Sequence, residues 1–267
     1  MNELIEDIRK GKVILFVGAG VSRILELPSF RELIDHIAQE LDFDPELFHD
    51  LGDHLTLAEF YKLQTGALGP LRSWMDTNWH KAETDIGKSE VHRLIVQLDF
   101  PIIYTTNYDR WLEKAFEFFR KPFIKIAGVA DLLKIREGTA QIIKYHGDFD
   151  SDESIVLTES SYFERLNFQS PLDIKLKNDL FGKNILFLGY SLKDINIRYL
   201  LYQIYRTWSD SKFSYMRPQS YILLDRPNVV QQKVLEERGI TPLVSESDDP
   251  KESVKIFLEH LTGNIGH

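Results

Sequence analysis

The stretch VILFVGAGVS, residues 13–22, decides the expected fold. Its first five residues are apolar, and an unbroken apolar run of this length is typical of a strand buried on both faces in a parallel sheet. Gly18, Ala19 and Gly20 follow at once. Because glycine lacks Cβ, backbone amides there can be approached closely by a pyrophosphate, although a tight structural turn explains the pattern equally well.

Further apolar runs predict more strands of the same kind. The additional strands are expected at residues 102–105, 142–145, 185–188 and 221–224, with 242–244 as a sixth candidate. Apolar residues at helical spacing lie between most of these runs, as at 30–41, 195–205 and 229–237. This alternation predicts a single α/β domain over residues 1–267, built on a doubly wound, mostly parallel, Rossmann-like sheet.

Two stretches do not fit a simple strand–helix alternation. Residues 44–97 hold roughly four amphipathic segments and turn signals such as TGALGP, so they predict a helical insertion over one end of the sheet. Residues 121–136 predict a small irregular insertion, with a pair of short strands as one interpretation. Additions beside strand ends commonly form the walls of a cleft.

Composition excludes several classes of protein. The 267 residues include no cysteine, which excludes disulfides, zinc–thiolate sites and a cysteine nucleophile. The longest apolar runs fall short of the ~20 residues that span a bilayer, so we expect a soluble cytoplasmic protein with no membrane partner. With 32 basic against 41 acidic residues, the net charge of -9 argues against direct binding of nucleic acid.

Four loops follow predicted central strands: GAGVS at 18–22, YTTNYD at 104–109, YHGDF at 145–149 and GYSLKD at 189–194. Loops at the carboxyl ends of parallel strands share one edge of the sheet, so their residues are expected to meet. Asn107 and Asp109 are polar groups for a ligand, although Asn107 also suits a helix cap. His146 can act as a base near neutral pH, although a lone histidine is more often structural.

The first loop fails the test for an ordinary dinucleotide fingerprint. That motif needs a third glycine where this chain has Arg23, and an acidic residue after the next strand. Glu40, at the appropriate distance, lies within a helical pattern instead. A hydride-transferring dehydrogenase is therefore disfavoured.

Taken in order, five short motifs resemble the sirtuins over roughly residues 12–225. They are Gly-Ala-Gly-Val-Ser at 18–22, Pro28-x-Phe30-Arg31, Thr105-x-Asn107-x-Asp109, His146-Gly147 and Gly189-x-Ser191. In sirtuins the first loop and the Pro-x-Phe-Arg segment hold the NAD diphosphate and nicotinamide ribose. The resemblance implies that His146 is the general base, and that Asn107 and Asp109 contact ribose, water and the carboxamide. We also expect Asp109 to fix the base in position. The implied NAD-binding residues are Gly18, Ala19, Gly20, Ser22, Phe30, Arg31, Thr105, Gly189, Ser191 and Asp225.

Departures from the sirtuin pattern indicate which kind of sirtuin-like protein to expect. The chain lacks the four cysteines of the usual zinc module, carries Ser29 before Phe-Arg and Tyr190 in the fourth loop, and has the insertion at 44–97. These features are similar to divergent bacterial sirtuin-like domains that hydrolyse NAD in antiphage defence. The resemblance implies NAD as substrate, no metal, a homo-oligomer, and a second defence protein such as an ATPase or nuclease.

Three functions remain as hypotheses at this point. The first is an NAD glycohydrolase that releases nicotinamide and ADP-ribose. The alternatives are an NAD-dependent protein-lysine deacylase and a non-catalytic module that senses NAD or ADP-ribose. The segment HDLGDH, residues 49–54, places two histidines and two aspartates close together, as a metal site would, but its pattern favours a helix end and turn with solvated polar residues.

Overall fold

A seven-stranded parallel sheet forms the centre of the computed structural model, which describes residues 1–224, 226, 228–245, 247 and 249–265. The strands are β1 (Val13–Val17), β2 (Ile102–Thr105), β3 (Phe123–Ile126), β4 (Ala140–Lys144), β5 (Asn184–Leu188), β6 (Ser220–Leu224) and β7 (Ile240–Val244). Their order is β3-β4-β2-β1-β5-β6-β7, and all neighbouring pairs are parallel. Strands β2, β4 and β3 lie on one side of β1, and β5, β6 and β7 lie on the other. The order of the strands therefore reverses at β1, which makes it a topological switch point.

Helices cover both faces of this sheet. They are α1 (Asn2–Arg9), α2 (Ala19–Ser22), α3 (Phe30–Glu40), α4 (Pro45–His49), α5 (His54–Thr65), α6 (Gly69–Trp79), α7 (Glu90–Gln97), α8 (Trp111–Phe118), α9 (Glu159–Arg165), α10 (Pro171–Gly182), α11 (Ile195–Ser209), α12 (Val229–Glu237) and α13 (Pro250–Ile265). Alternate residues of β1 enter different cores: Leu15 packs in the core that includes α3, α7 and α13, and Phe16 packs in the core that includes α10 and α11. The predicted doubly wound α/β fold is therefore confirmed.

One difference concerns the segment at 121–136. It contributes β3, an edge strand that pairs with β4, followed by a 3-10 turn at Val129–Lys134, and no second strand. Lys125 in the middle of β3 hides this strand from a search for apolar runs. Its ammonium group contacts the carboxylates of Asp148 and Asp150, so the charge is paired at the sheet edge.

Residues 44–97, all of which the structure describes, fold into the helices α4 to α7 and a 3-10 turn at Ile86–Lys88, without a strand. Asp44 and Asp53 cap α4 and α5 by accepting hydrogen bonds from backbone amides of the first turn. Phe48, Tyr61 and Trp79 are buried and join the core that includes α3. This packing fixes the helices against the sheet domain.

Within the described part of the chain, none of the helices combines the length and the apolar character that a membrane crossing requires.

Candidate active site

A cleft of about 1460 Å³ opens at the carboxyl ends of the central strands. All four polar loops contribute to its walls, and so do residues of α3 and of the helical insertion. The sequence-predicted residues that line it are Ala19, Gly20, Ser22, Phe30, Arg31, Asn107, Asp109, His146, Gly189 and Ser191. Gly18 and Thr105 do not line it, and Asp225 lies outside the described residues.

The first and fourth loops pack backbone against backbone. The amide of Gly18 donates to the Leu188 carbonyl at 2.9 Å, and the amide of Gly20 donates to the Gly189 carbonyl at 2.8 Å. A Cβ on Gly20 would lie 2.7 Å from the Gly189 oxygen, and Gly189 itself has a φ of +60°. These glycines are thus required for loop contact, and two of the amides expected to receive a phosphate already have protein acceptors.

Three buried side chains of the first and second loops form a hydrogen-bonded chain. Asn107 Nδ2 donates to Ser22 Oγ at 2.9 Å, and Ser22 Oγ donates to Asp109 Oδ2 at 2.7 Å. Asp109 Oδ1 accepts from the Trp111 amide at 3.1 Å, at the start of α8. Because all three residues are buried, this network holds its members in one arrangement before any ligand arrives.

Thr105 has a local role that explains its absence from the cleft. Its hydroxyl accepts a hydrogen bond from the Asn107 amide at 3.0 Å, and its side chain is fully buried. The next residue, Thr106, lines the cleft in its place. Thr105 therefore shapes the turn that presents Asn107.

Beneath this loop lies a buried ion pair. Lys144 Nζ lies 3.3 Å from Glu113 Oε1 and also donates to the backbone carbonyl of Asp109. Burial raises the pKa of Glu113, and the Lys144 charge opposes that rise. The pair anchors the main chain at Asp109 from below.

His146 lies at the bottom of the cleft and is only 2% exposed. The following Gly147 has a φ of +84°, and a Cβ there would lie 2.1 Å from the Ser154 carbonyl oxygen, so only glycine allows this turn. Burial lowers the pKa of His146 well below its ordinary value, and the Arg165 guanidinium lowers that pKa further. The imidazole is therefore neutral at pH 7, as a general base must be.

The carboxylate beside His146 is Asp194. Asp194 Oδ2 lies 3.3 Å from His146 Nε2, whereas Asp109 is occupied by Ser22 and the Trp111 amide. The carboxylate that faces His146 in this structure is therefore Asp194, from the loop after β5, and not Asp109, for which that position was expected. On the opposite side, His146 Nδ1 lies 3.5 Å from the Tyr162 hydroxyl.

Asp194 was missed because its sequence context indicates a helix cap. It precedes α11, and its Oδ1 accepts from the amides of Asn196 at 2.8 Å and Ile197 at 3.2 Å. The cap also directs the second carboxylate oxygen toward the cleft. Tyr162 and Tyr190 line the cleft as well, and burial raises the pKa of both phenols.

The outer part of the cleft is more exposed. Phe30 is 40% exposed and packs against the His54 ring, while Arg31 lies 3.9 Å from Glu46. Ser29, before Phe30 and Arg31, caps α3: its hydroxyl accepts from the Glu32 amide. The remaining cations of the lining are Arg23, Lys193 and Arg226.

Two polar side chains of the segment at 49–54 have protein partners in the structure. His49 Nε2 lies 2.8 Å from Asp35 Oδ1, and Asp53 is used as the cap of α5. Across the residues that the structure describes, no group of three or more His, Cys, Asp or Glu side chains is placed to hold a metal ion.

Several relatives share most of this chain. "NAD(+) hydrolase ThsA" of Enterococcus faecium is 35% identical over 204 residues, which cover 74% of this chain and 41% of that protein. The protein of the same name from Bacillus cereus (strain MSX-D12) is 28% identical over 210 residues, covering 76% of this chain and 42% of the relative. "Defense-associated sirtuin 2" of Bacillus subtilis is 28% identical over 221 residues, which cover 79% of this chain and 21% of that protein. The chain thus spans about two-fifths of the length of the ThsA relatives, and less of the third.

Comparison of folds agrees with these relationships. The solved structure titled "Crystal structure of a Sir2 homolog-NAD complex" superposes with a TM-score of 0.53 at 11% identity, over 100% of this chain and 94% of that one. A family profile described as "SIR2-like domain" matches residues 101–243, more than half of the 267-residue chain. The chain therefore belongs to the SIR2-like family, as the five motifs had indicated.

Proposed function

We propose that this chain is an NAD glycohydrolase that releases nicotinamide and ADP-ribose, and that it acts in antiphage defence by depleting NAD. The observation that carries the proposal is the neutral, buried His146 in the same cleft as the Ser22–Asn107–Asp109 network. The printed names of the relatives, which call them NAD(+) hydrolases and a defence-associated sirtuin, support it.

Charge in the outer cleft suits a dinucleotide. Arg23, Arg31, Lys193 and Arg226 line the opening although the whole chain carries a net charge of -9. Guanidinium groups pair with phosphate oxygens, two hydrogen bonds at a time. Since two backbone amides of the first loop already have protein acceptors, these side chains supply the binding charge for the diphosphate. Phe30 supplies an aromatic face for the cationic nicotinamide ring.

The reaction needs a base more than an acid. When the bond between the nicotinamide nitrogen and ribose C1′ breaks, its electron pair leaves with the ring, which becomes neutral. The ribose then has oxocarbenium character and is attacked by water. His146 takes the proton from this water as its oxygen bonds to C1′.

The hydrogen-bonded network supplies orientation. Asn107 is held by Ser22, which leaves its amide oxygen for the attacking water or a ribose hydroxyl. Each carboxylate oxygen of Asp109 accepts one protein hydrogen bond and retains a lone pair, which can receive the N–H of the nicotinamide carboxamide. Fixed donors and acceptors of this kind reduce the entropic cost of reaching the reactive geometry.

We also propose that the activity acts on the cytoplasmic NAD pool and is gated by self-association or by a second defence protein such as an ATPase or nuclease. Loss of NAD without control would kill the cell that makes the enzyme. This physiological constraint, and not a contact in the structure, motivates the gating proposal.

The test is to incubate the purified protein with NAD and no other substrate, over concentrations that span self-association and with or without a candidate partner protein, and to identify products by chromatography. We expect nicotinamide and ADP-ribose in equal amounts, and their loss in Asn107→Ala. The matched control is Asn178→Ala, an exposed asparagine on α10. Turnover only with an acylated peptide would indicate a deacylase, and tight binding without turnover would indicate a sensing module; either result overturns the proposal.

A further inference from the structure

The surroundings of the His146 ring determine which of its nitrogens carries the proton. Asp194 Oδ2 lies 3.3 Å from Nε2, and the Tyr162 hydroxyl lies 3.5 Å from Nδ1. The Tyr145 ring stacks on the imidazole at a centroid distance of 5.6 Å, and Arg165 is the nearby cation. A carboxylate accepts hydrogen bonds, whereas a phenol also donates them. Asp194 therefore favours a hydrogen on Nε2, whereas Tyr162 can donate to a bare Nδ1.

The two oxygens of Asp194 have separate tasks. Oδ1 accepts from the amides of Asn196 and Ile197 at the start of α11, which fixes the carboxylate in place. Oδ2 lies 3.3 Å from His146 Nε2, and the Tyr162 and Tyr190 phenols lie near the same carboxylate. Burial raises the pKa of Asp194, and the two amides oppose that rise by stabilising the ionised form. A bare nitrogen lone pair against Oδ2 would be repelled, so Nε2 is the nitrogen that carries hydrogen.

We propose that Asp194 is a positioning residue: it holds His146 in the Nε2–H tautomer, leaves Nδ1 as the basic nitrogen beside Tyr162, and stabilises the imidazolium formed during turnover. This inference rests on the proposed function for its kinetic consequence. In the present arrangement Nε2 lies 3.3 Å from Oδ2 without forming a hydrogen bond to it or to any other of the described residues. Protonation of Nδ1 makes the ring cationic and strengthens its attraction to Oδ2.

The substitution Asp194→Asn separates this role from helix capping. Asparagine caps helices as well as aspartate does, so its amide oxygen can keep the hydrogen bonds to Asn196 and Ile197. Its NH₂ group then takes the place of Oδ2 and presents hydrogens to Nε2. That exchange favours the opposite tautomer, with hydrogen on Nδ1 and the basic lone pair turned away from Tyr162.

Two readouts test the proposal. Long-range ¹H–¹⁵N NMR spectra report the tautomer of His146, whose signals are assigned by their loss in His146→Gln. We expect Nε2–H in the wild type and Nδ1–H in Asp194→Asn. Steady-state kinetics with NAD should show kcat lower by about 10³-fold, in the range of a misoriented histidine base, with KM changed little.

A matched control shows that the Asp-to-Asn exchange at a cap is harmless in itself. Asp44 caps α4 and is exposed away from the cleft, so Asp44→Asn should leave both the His146 spectrum and kcat unchanged. An Nδ1–H tautomer in the wild type, or the same tautomer in wild type and Asp194→Asn, overturns the proposal whatever the activity.

The wild-type spectrum alone decides if Asp194→Asn fails to fold. If the wild type shows Nε2–H yet never consumes NAD, the proposed function fails while the assignment of Asp194 stands.

Discussion

The floor and the rim of the cleft differ in how their side chains are held. We define the floor as Ser22, Asn107, Asp109 and His146, which are 2–8% exposed and contacted by other protein groups. The rim is Phe30 and Arg31, where Phe30 is 40% exposed and the Arg31 side chain 63% exposed. The floor is already ordered, whereas the rim gains order only when it contacts a ligand and pays side-chain entropy then. This difference assigns chemistry to the floor and capture of the substrate to the rim.

The largest expected effect is on kcat and comes from removing the histidine of the floor. His146→Gln keeps a polar side chain of similar size but removes the base, so kcat for NAD hydrolysis should fall by about 10²–10⁴-fold. His260→Gln, at an exposed histidine on α13, is the control. Retained folding, measured by circular dichroism, is required. A variant that folds and keeps more than a tenth of wild-type activity would remove His146 from the mechanism.

The next largest effect is on stability and comes from disturbing the contact between the first and fourth loops. Gly20→Ala places a methyl group 2.7 Å from the Gly189 oxygen and 2.8 Å from its Cα, both of them backbone atoms that cannot rotate away. The free energy of unfolding should fall by about 3 kcal/mol, the upper end for overpacking, in urea titrations. Gly128→Ala, where no atom lies within 4 Å of the added Cβ, should change it by no more than about 0.5 kcal/mol. Equal effects of the two variants would show that the loops do not pack as described.

Removal of the central hydroxyl tests the floor network directly. Ser22→Ala leaves Asn107 Nδ2 without its acceptor and Asp109 Oδ2 without its donor, so unfolding should become easier by about 2 kcal/mol. Activity should fall as well, because Asn107 is no longer fixed. Ser73→Ala, on the exposed face of α6, serves as the stability control. Unchanged stability in Ser22→Ala would show that the network is not formed in solution.

The pH dependence of kcat/KM reports the burial of the floor. Since burial and Arg165 both lower the pKa of His146, the neutral base persists to lower pH than for a solvated histidine. The profile should therefore stay level down to about pH 6.5, the ordinary histidine value, and fall only in more acidic solution. Far-UV circular dichroism over the same range excludes unfolding as the cause. If kcat/KM already begins to fall above pH 7 as the solution is made more acidic, His146 is not a buried, desolvated base.

The smallest effect belongs to the rim. Arg31→Ala should raise KM for NAD by about fivefold, the scale of an exposed ion pair, and leave kcat unchanged. Its contact with Glu46 is 3.9 Å long and exposed, so stability should not change measurably. Arg31→Lys should recover part of the KM effect. A large fall in kcat with unchanged KM would place Arg31 in the chemical step and erase the distinction between rim and floor.

Much of the site could be predicted because strand order brings the loops together. The apolar runs identified β1, β2, β5 and β6 to within one residue at each end, and their carboxyl ends necessarily share an edge. Thr105 was assigned to ligand binding, yet it serves the turn, since sequence does not reveal which of two adjacent threonines points into a cleft. For residues 121–136 a pair of short strands was one interpretation, and the structure has the single edge strand β3 there, whose apolar run Lys125 interrupts.

The sequence by itself determined the α/β class, the parallel sheet and the meeting of four loops, because hydrophobic periodicity is a local property that each segment carries alone. Only the tertiary structure decided that Asp194 and not Asp109 faces His146, and that Gly18 and Gly20 serve loop contact. Those outcomes depend on the orientation of side chains and backbones from segments far apart in the chain. Distances of a few ångströms between such segments are set by packing of the whole domain, and no local pattern encodes them.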